Sequence, residues 1–305
     1  MNSIDAVRLS FTPGSLVALD VILAFVLFGV ALDMRVADFK GILVAPKGTL
    51  IGLAAHSLLL PALAWGLTMV LEPSPSIALG MILVASCPSG NISNFLVNYA
   101  HGNPALSVTI AAFSMLGSVL FTPFNLAFWG SLNPATRPIL QAVELSPLAV
   151  LGTIVVLLAI PTVLGMGLAH RWPALAARLR NPFRWLSLGF FAAFVLGALV
   201  ANLRYFAPYV PQVALFVVVL NLGALALGYW TARLAGLGEA DRRAVSFEVG
   251  IQNSGFGLAL VFNFFGGLGG MAIVAAWWGI WHLLAGTTLA AWWRRRPPAG
   301  RWAET

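Results

Sequence analysis

Apolar runs of about 20 residues, each ended by a few polar or basic residues, recur along this whole sequence, and they limit the fold more than any motif does. A run of that length crosses a hydrocarbon core of roughly 30 Å as a helix. The expected fold is therefore an all-α polytopic membrane protein. Nine spans are expected, near 15–34, 49–71, 76–100, 103–129, 146–169, 184–203, 208–234, 240–264 and 268–293; eight would require one run to be re-entrant. Charged residues make up 9% of the chain, far below the roughly 25% of soluble domains, so no separate soluble module is expected. The longest polar stretch, around His170 to Arg184, is expected to be a loop, and residues 1–305 one membrane domain. The opening MNSIDAVRLSFTPG lacks the basic start and cleavage site of a signal peptide, so the first apolar run is expected to belong to the mature protein. Cys87 is the single cysteine, which excludes an intrachain disulfide or a zinc cluster of several thiolates.

Charge placement orients the spans. With the N-terminus outside, 14 of the 17 Lys and Arg fall on the inner side, and Arg8, Arg137 and Arg204 fall outside. This bias is what the positive-inside rule expects of nine spans running N-out to C-in. The Ala- and Arg-rich composition looks bacterial, so the expected location is a bacterial inner membrane. The formal charge of +7 lies on cytoplasmic loops facing anionic lipid, and no nucleic-acid partner is needed to explain it. No obligate protein partner is expected.

Two spans carry polar interruptions. The third reads SIALGMILVASCPSGNISNFLVNYA and the eighth AVSFEVGIQNSGFGLALVFNFF. Proline removes a backbone donor and glycine weakens a helix, so each span is expected to unwind, over 88–94 and 249–254, with the two breaks meeting near mid-membrane. One reading is a pair of kinked helices whose Asn, Gln and Ser side chains bond their neighbours. The other follows from placement. The broken spans are third in the first four and third in the last four, and an odd number of crossings gives the two sets opposite orientation. Such pairing points to inverted repeats that cradle an ion and a substrate.

The runs CPSGNISNFLVNYAHGNPALSV, EVGIQNSGFGLAL, FGVALDMRVADF and WHLLAGTTLAAWW resemble the bile acid:sodium symporter family over nearly the whole chain. The resemblance implies a panel domain (about 15–34 and 146–203) and a core domain (about 49–129 and 208–293), with alternating access in the crevice between them. It implies two sodium ions as the coupling cofactors. One would be held by Ser93, Asn94, Ser107 and Glu248, the other by Glu248, the carbonyls of Val249 and Ile251, and Gln252. It also places Asn91, Asn253 and His282 against the substrate, an organic anion. Small hydroxylated or keto carboxylates are preferred over bile acids. Sodium is a hard cation that prefers oxygen, so this residue set is chemically apt. For Glu248, the competing reading is an interfacial carboxylate paired with Arg243.

Two positions depart from the family pattern. His56 stands where glutamine is usual, and Ala111 where threonine is usual; each removes a side-chain oxygen from a sodium site. A histidine beside a shared glutamate is also a proton-coupling pair, while its plainer reading is a neutral core histidine. Of the tryptophans on the last span, Trp292 and Trp293 are expected at the membrane interface and Trp281 near the crevice. Asp20 is read as an interface carboxylate. Other classes fit less well. Ser254 with His282 could serve an intramembrane hydrolase, but no GxSxG or HExxH motif occurs, and an enzyme is not expected. Cys87 lies where a thiolate-based arsenite exporter would need one. A channel would be told apart by non-saturating flux.

Overall fold

A computed structural model of the chain describes residues 4–9, 13–34, 36–44, 46–90, 92–143, 152–201 and 203–298. After a short turn at Ile4–Ala6, the described residues form α1 (Pro13–Ala31), α2 (Val36–Val44), α3 (Pro46–Leu71), α4 (Pro75–Ser86), α5 (Ile92–Tyr99), α6 (Pro104–Leu132) and α7 (Arg137–Ala142). There follow α8 (Gly152–Arg171), α9 (Pro173–Ala201), α10 (Leu203–Leu234), α11 (Glu239–Gly250), α12 (Ser254–Phe265) and α13 (Gly269–Arg294). Proline opens α1, α3, α4, α6 and α9. At a first helical position its missing N–H has no helical partner to lose, and its fixed φ suits the helix.

Among the described residues, five helical stretches, Pro46–Leu71, Pro104–Leu132, Gly152–Arg171, Pro208–Leu234 and Gly269–Arg294, are long and apolar enough to cross a membrane. Leu16–Ala31, Pro75–Ser86 and Ser254–Phe265 are shorter apolar helices. The last two are halves of the interrupted spans, α4 with α5 and α11 with α12. The chain is a multi-pass membrane protein. Of the expected span 146–169, residues 146–151 lie outside the described residues.

The stretch around His170 to Arg184 is not a loop. It breaks only at Trp172 and continues as α9 from Pro173, well ahead of the expected start at 184. The run ALAARLR after Pro173 is made of strong helix formers. Arg180 also has a partner there: its Nε donates to the Leu32 carbonyl at 3.1 Å and meets Asp33 at 3.2 Å, holding α9 to the end of α1. Phe183 stacks on Phe25 at 4.4 Å in the same contact.

Two helices widen into π turns, at Ala55–Leu59 in α3 and Val155–Ala159 in α8, just before Pro61 and Pro161. A proline donates nothing to the carbonyl four residues back and its ring crowds that carbonyl, so the backbone widens. In α3 the carbonyl concerned is that of Ser57, and Asn125 Nδ2 on α6 donates to it at 2.8 Å.

Burial follows position. Every residue of α4 from Ser76 to Ser86 is buried, as is α12 from Ser254 to Phe262. These half-helices sit inside, while exposed side chains such as Leu58, Val70, Leu120 and Leu215 lie on outer helices, where lipid would cover them. At Gly228, α10 approaches α11 so closely that a Cβ would stand 2.8 Å from Ser246 Cα. The N-terminal segment is part of this interior. Leu9 N–H donates to the Gly267 carbonyl, Gly269 N–H to that of Val7, and Ser76 N–H to Asp5 Oδ1. It thereby ties the start of α4 to the turn after α12. Trp293 is buried in the protein, stacked 5.7 Å from Tyr229 and edge-on to Phe247, while Trp292 is exposed.

Candidate functional site

The breaks have a local cause and a shared solution. Cys87 precedes Pro88 and is extended (φ −72°, ψ 157°), as a residue before proline tends to be, so α4 stops at Ser86. Past Gly250, Ile251 is extended as well (φ −111°, ψ 108°). The two extended pieces pair antiparallel at Ser89 and Gln252: Gly90 N–H donates to the Ile251 carbonyl at 2.8 Å, and Asn253 N–H to that of Pro88 at 2.8 Å. Each break thus satisfies the backbone groups that the other frees. A Cβ at Gly90 would stand 3.0 Å from the Gln252 carbonyl oxygen, so glycine sets how closely the chains cross.

The breaks are narrower than 88–94 and 249–254. Non-helical backbone covers 87–90 and 251–253, with residue 91 outside the described residues. Ser93 N–H bonds the Gly90 carbonyl, and the Asn253 side chain accepts from Phe256 N–H, so each second half-helix starts early. Ser93, Asn94, Glu248 and Val249 therefore stand on helices.

Glu248, in the last turn of α11, is fully buried. Ser89 Oγ donates to its Oε2 at 2.6 Å, Ser93 Oγ to its Oε1 at 2.6 Å, and Ser107 Oγ on α6 also reaches Oε1. Ser107 Oγ lies 2.7 Å from Asn94 Oδ1. Four residues expected at one sodium site, Ser93, Asn94, Ser107 and Glu248, thus stand together. Ser89, which the sequence reading left unassigned, joins them. Pairing of Glu248 with Arg243 does not occur: Arg243 bonds Glu239 at 3.0 Å and the carbonyls of Ala100, Trp293 and Arg296.

The residues expected at the second site gather at the end of α11. Gln252 Nε2 donates to the Val249 carbonyl at 2.8 Å and lies 3.4 Å from His56 Nδ1. His56, in the π turn of α3, also bonds the Glu248 carbonyl. The Ile251 carbonyl is engaged in the crossing. Asn221 on α10, also unassigned from the sequence, donates to the Gly250 carbonyl at 2.7 Å. Its signal was a lone amide within LFVVVLNLGALALG.

Of the residues expected to meet substrate, Asn91 lies outside the described residues. Asn253 caps α12, which commits its Oδ1. His282 is buried on α13, between Gly279, which faces Ser254, and Gly286, which faces Ile251 and Leu96; it therefore abuts the crossing. Its Nδ1 meets no partner. Cys87 is buried with its thiol donating to the Leu83 carbonyl.

The donor set fits sodium. Hydroxyl, amide and carboxylate oxygens converge at Glu248, and among the described residues no three His, Cys, Asp or Glu gather as a transition metal would need. With Asn94 Oδ1 turned to it, Ser107 has one hydroxyl proton for two acceptors, and a cation would bridge the lone pairs left facing each other.

The sequence matches the sodium bile acid symporter family over residues 20–209, which includes the first break and stops short of Glu248. Similarity to individual proteins reaches further. The chain is 29% identical over 277 residues to the uncharacterized sodium-dependent transporter YocS of Bacillus subtilis, covering 90% of this chain and 83% of that one. It is 30% identical over 285 residues to the probable chloroplastic sodium/metabolite cotransporter BASS2 of Oryza sativa, covering 90% and 63%. It is 27% identical over 241 residues to the human ileal sodium/bile acid cotransporter, covering 77% and 66%. The chain belongs to the sodium bile acid symporter family of membrane transporters.

Proposed function

We propose that this protein is a secondary active transporter of small organic anions, coupled to sodium by alternating access. The observation that carries the reading is Glu248, a fully buried carboxylate held by three serine hydroxyls where two broken helices cross. An intramembrane carboxylate is costly unless it has a task, and a shared cation site is a task that these oxygens suit. Ser89, Ser93, Asn94, Ser107 and Glu248 would hold one sodium ion. Glu248, Gln252 and the carbonyls of Val249 and Ile251, with His56 alongside, would hold the other. The ions would neutralise the carboxylate and leave net positive charge beside the N-termini of α5 and α12. A carboxylate substrate would then bind against Asn91, Asn253 and His282. Small hydroxylated or keto acids are the preferred class, and bile-acid-like compounds the alternative.

Panel and core would move against one another. The packing of α1 on α8 and α9, of α4 on α6 and α13, of α6 on α11, and of α10 on α11 and α13 supports that division. The charge asymmetry supports an outside N-terminus and a cytoplasmic C-terminus in a bacterial inner membrane. Uptake into proteoliposomes, assayed over a panel of organic anions with and without a sodium gradient, tests the reading. Glu248→Ala should abolish sodium-driven uptake, while Asn253→Ala or His282→Ala should chiefly raise KM. Unaltered uptake in the Glu248 variant would refute it.

His56 gives a second reading a specific basis. Its ring lies between Gln252 and the Glu248 carbonyl, so a proton on it could take the place of a sodium ion. His56→Gln with Ala111→Thr should then raise sodium dependence and flatten the pH profile. Strong sodium stimulation of the unmodified protein, with no response to an imposed proton gradient, would sink the proton-coupled version.

A further inference from the structure

Two buried amide oxygens beside the end of α11 meet no donor, Asn221 Oδ1 and Gln252 Oε1. Both residues are fully buried. Their orientation is fixed by what their nitrogens do. Asn221 Nδ2 donates to the Gly250 carbonyl and Gln252 Nε2 to that of Val249. A carbonyl only accepts, so neither amide can be turned round, and each oxygen points away from the bond its nitrogen makes. A buried acceptor without a donor is costly, and an unseen water or ion is the usual reason that one persists.

The surroundings choose between water and ion. The carbonyls of Val249, Gly250 and Ile251 form the C-terminal end of α11, where partial negative charge collects, and the Glu248 carboxylate directly precedes them. Each carbonyl already holds one N–H, from Gln252, Asn221 and Gly90 respectively. Each amide adds one N–H, bonded to a carbonyl of that end, and beside it an oxygen with a free lone pair. Such a set attracts a hard cation.

We propose that Asn221 is a ligand of the coupling cation: its Oδ1, with Gln252 Oε1, completes an oxygen set at the end of α11. Asn221 thereby sets sodium affinity from α10, a helix outside both broken pairs. The proposal rests on the sodium-coupled reading. It deepens that reading with a residue that neither the sequence motifs nor the family resemblance assigns.

Thermal unfolding of the purified full-length protein in detergent, titrated with sodium chloride against choline chloride at matched ionic strength, tests this without transport. Sodium should raise the wild-type midpoint, since a ligand of the folded state stabilises it. Asn221→Leu should raise the half-maximal sodium concentration by roughly tenfold or more. Asn221→Asp keeps the side-chain oxygens and loses the N–H to Gly250, and should stay close to wild type. A purely structural bond to Gly250 predicts that the two variants shift alike. An unchanged sodium response in the leucine variant, or equal weakening in both, overturns the proposal. Should the leucine variant not fold, Asn221→Ala carries the same expectations. A wild-type protein without any sodium response removes the sodium reading and this proposal together, whereas a normal wild-type response with unaffected variants removes the proposal alone.

Discussion

Glu248 and Arg243 are the charged side chains buried among the described residues, and each is neutralised differently. Arg243 meets one carboxylate and three carbonyls; Glu248 meets only hydroxyls, which leave its charge available to a cation. A hydrogen bond to an ionised group contributes about 1.5–3 kcal/mol, and 1.4 kcal/mol is a factor of ten. Ser89→Ala should therefore raise the half-maximal sodium concentration for uptake by roughly tenfold or more. A sodium titration matching wild type would show that Ser89 merely fills space. Gly90→Ala places a Cβ 3.0 Å from the Gln252 carbonyl oxygen and 3.1 Å from Ile251 Cγ2, one of them backbone that gives little. Overpacking of this kind costs about 1–3 kcal/mol. The expected result is a lower thermal midpoint and lost uptake, and a variant with both intact would mean that the crossing is looser than drawn.

The interrupted spans were readable at the level of elements because proline and glycine act on their own segment. Pro88 biases Cys87 toward extended backbone, and the glycine and polar residues that follow keep the helix from resuming at once, whereas Leu60 and Ile160 stay helical before Pro61 and Pro161. The expected breaks are too wide because Asn253 capping α12 and Gly90 accepting from Ser93, each a bond between residues three apart, start the second half-helices early. The helical stretch after Pro173 was misjudged for another reason. Its arginines look like loop residues until Arg180 finds Leu32 and Asp33 on α1. In α3, Pro61 and Asn125 act as a pair across Ser57. Asn125→Leu leaves the Ser57 carbonyl without a donor and should destabilise the protein by about 1–3 kcal/mol. In a Pro61→Ala background the new N–H can reach that carbonyl, so the same substitution should matter less. Equal losses in both backgrounds, measured as a double-mutant cycle on thermal midpoints, would contradict this account.

At the scale of the molecule, one polar contact between the proposed panel and core among the described residues is that of Asn263 Nδ2 on α12, which donates to Asp20 Oδ1 on α1 at 2.9 Å. If α1 moves with the panel and α12 with the core, this contact must open during transport. In a Cys87→Ser background, Asp20→Cys with Asn263→Cys, bridged by a short dithiol-reactive linker, should stop uptake, and cleaving the linker should restore it. Full uptake by a completely crosslinked sample would refute motion between the two bodies at this contact.

The sequence by itself determined the lipid solvent, the helical class, the approximate spans, the two breaks and Glu248 between them. Those follow from apolar run length and from proline, glycine and a lone carboxylate, all of which act within one segment. Only the tertiary structure decided that Ser89 serves Glu248, 159 positions away along the chain, and that Asn221 fastens the end of α11. It also decided that residues 4–9 stitch α4 to the turn after α12. The physical reason is the same in each case. A buried polar group must find a partner, and the partner is chosen by which distant segment the packing brings within hydrogen-bonding distance, a quantity that no periodicity or composition records.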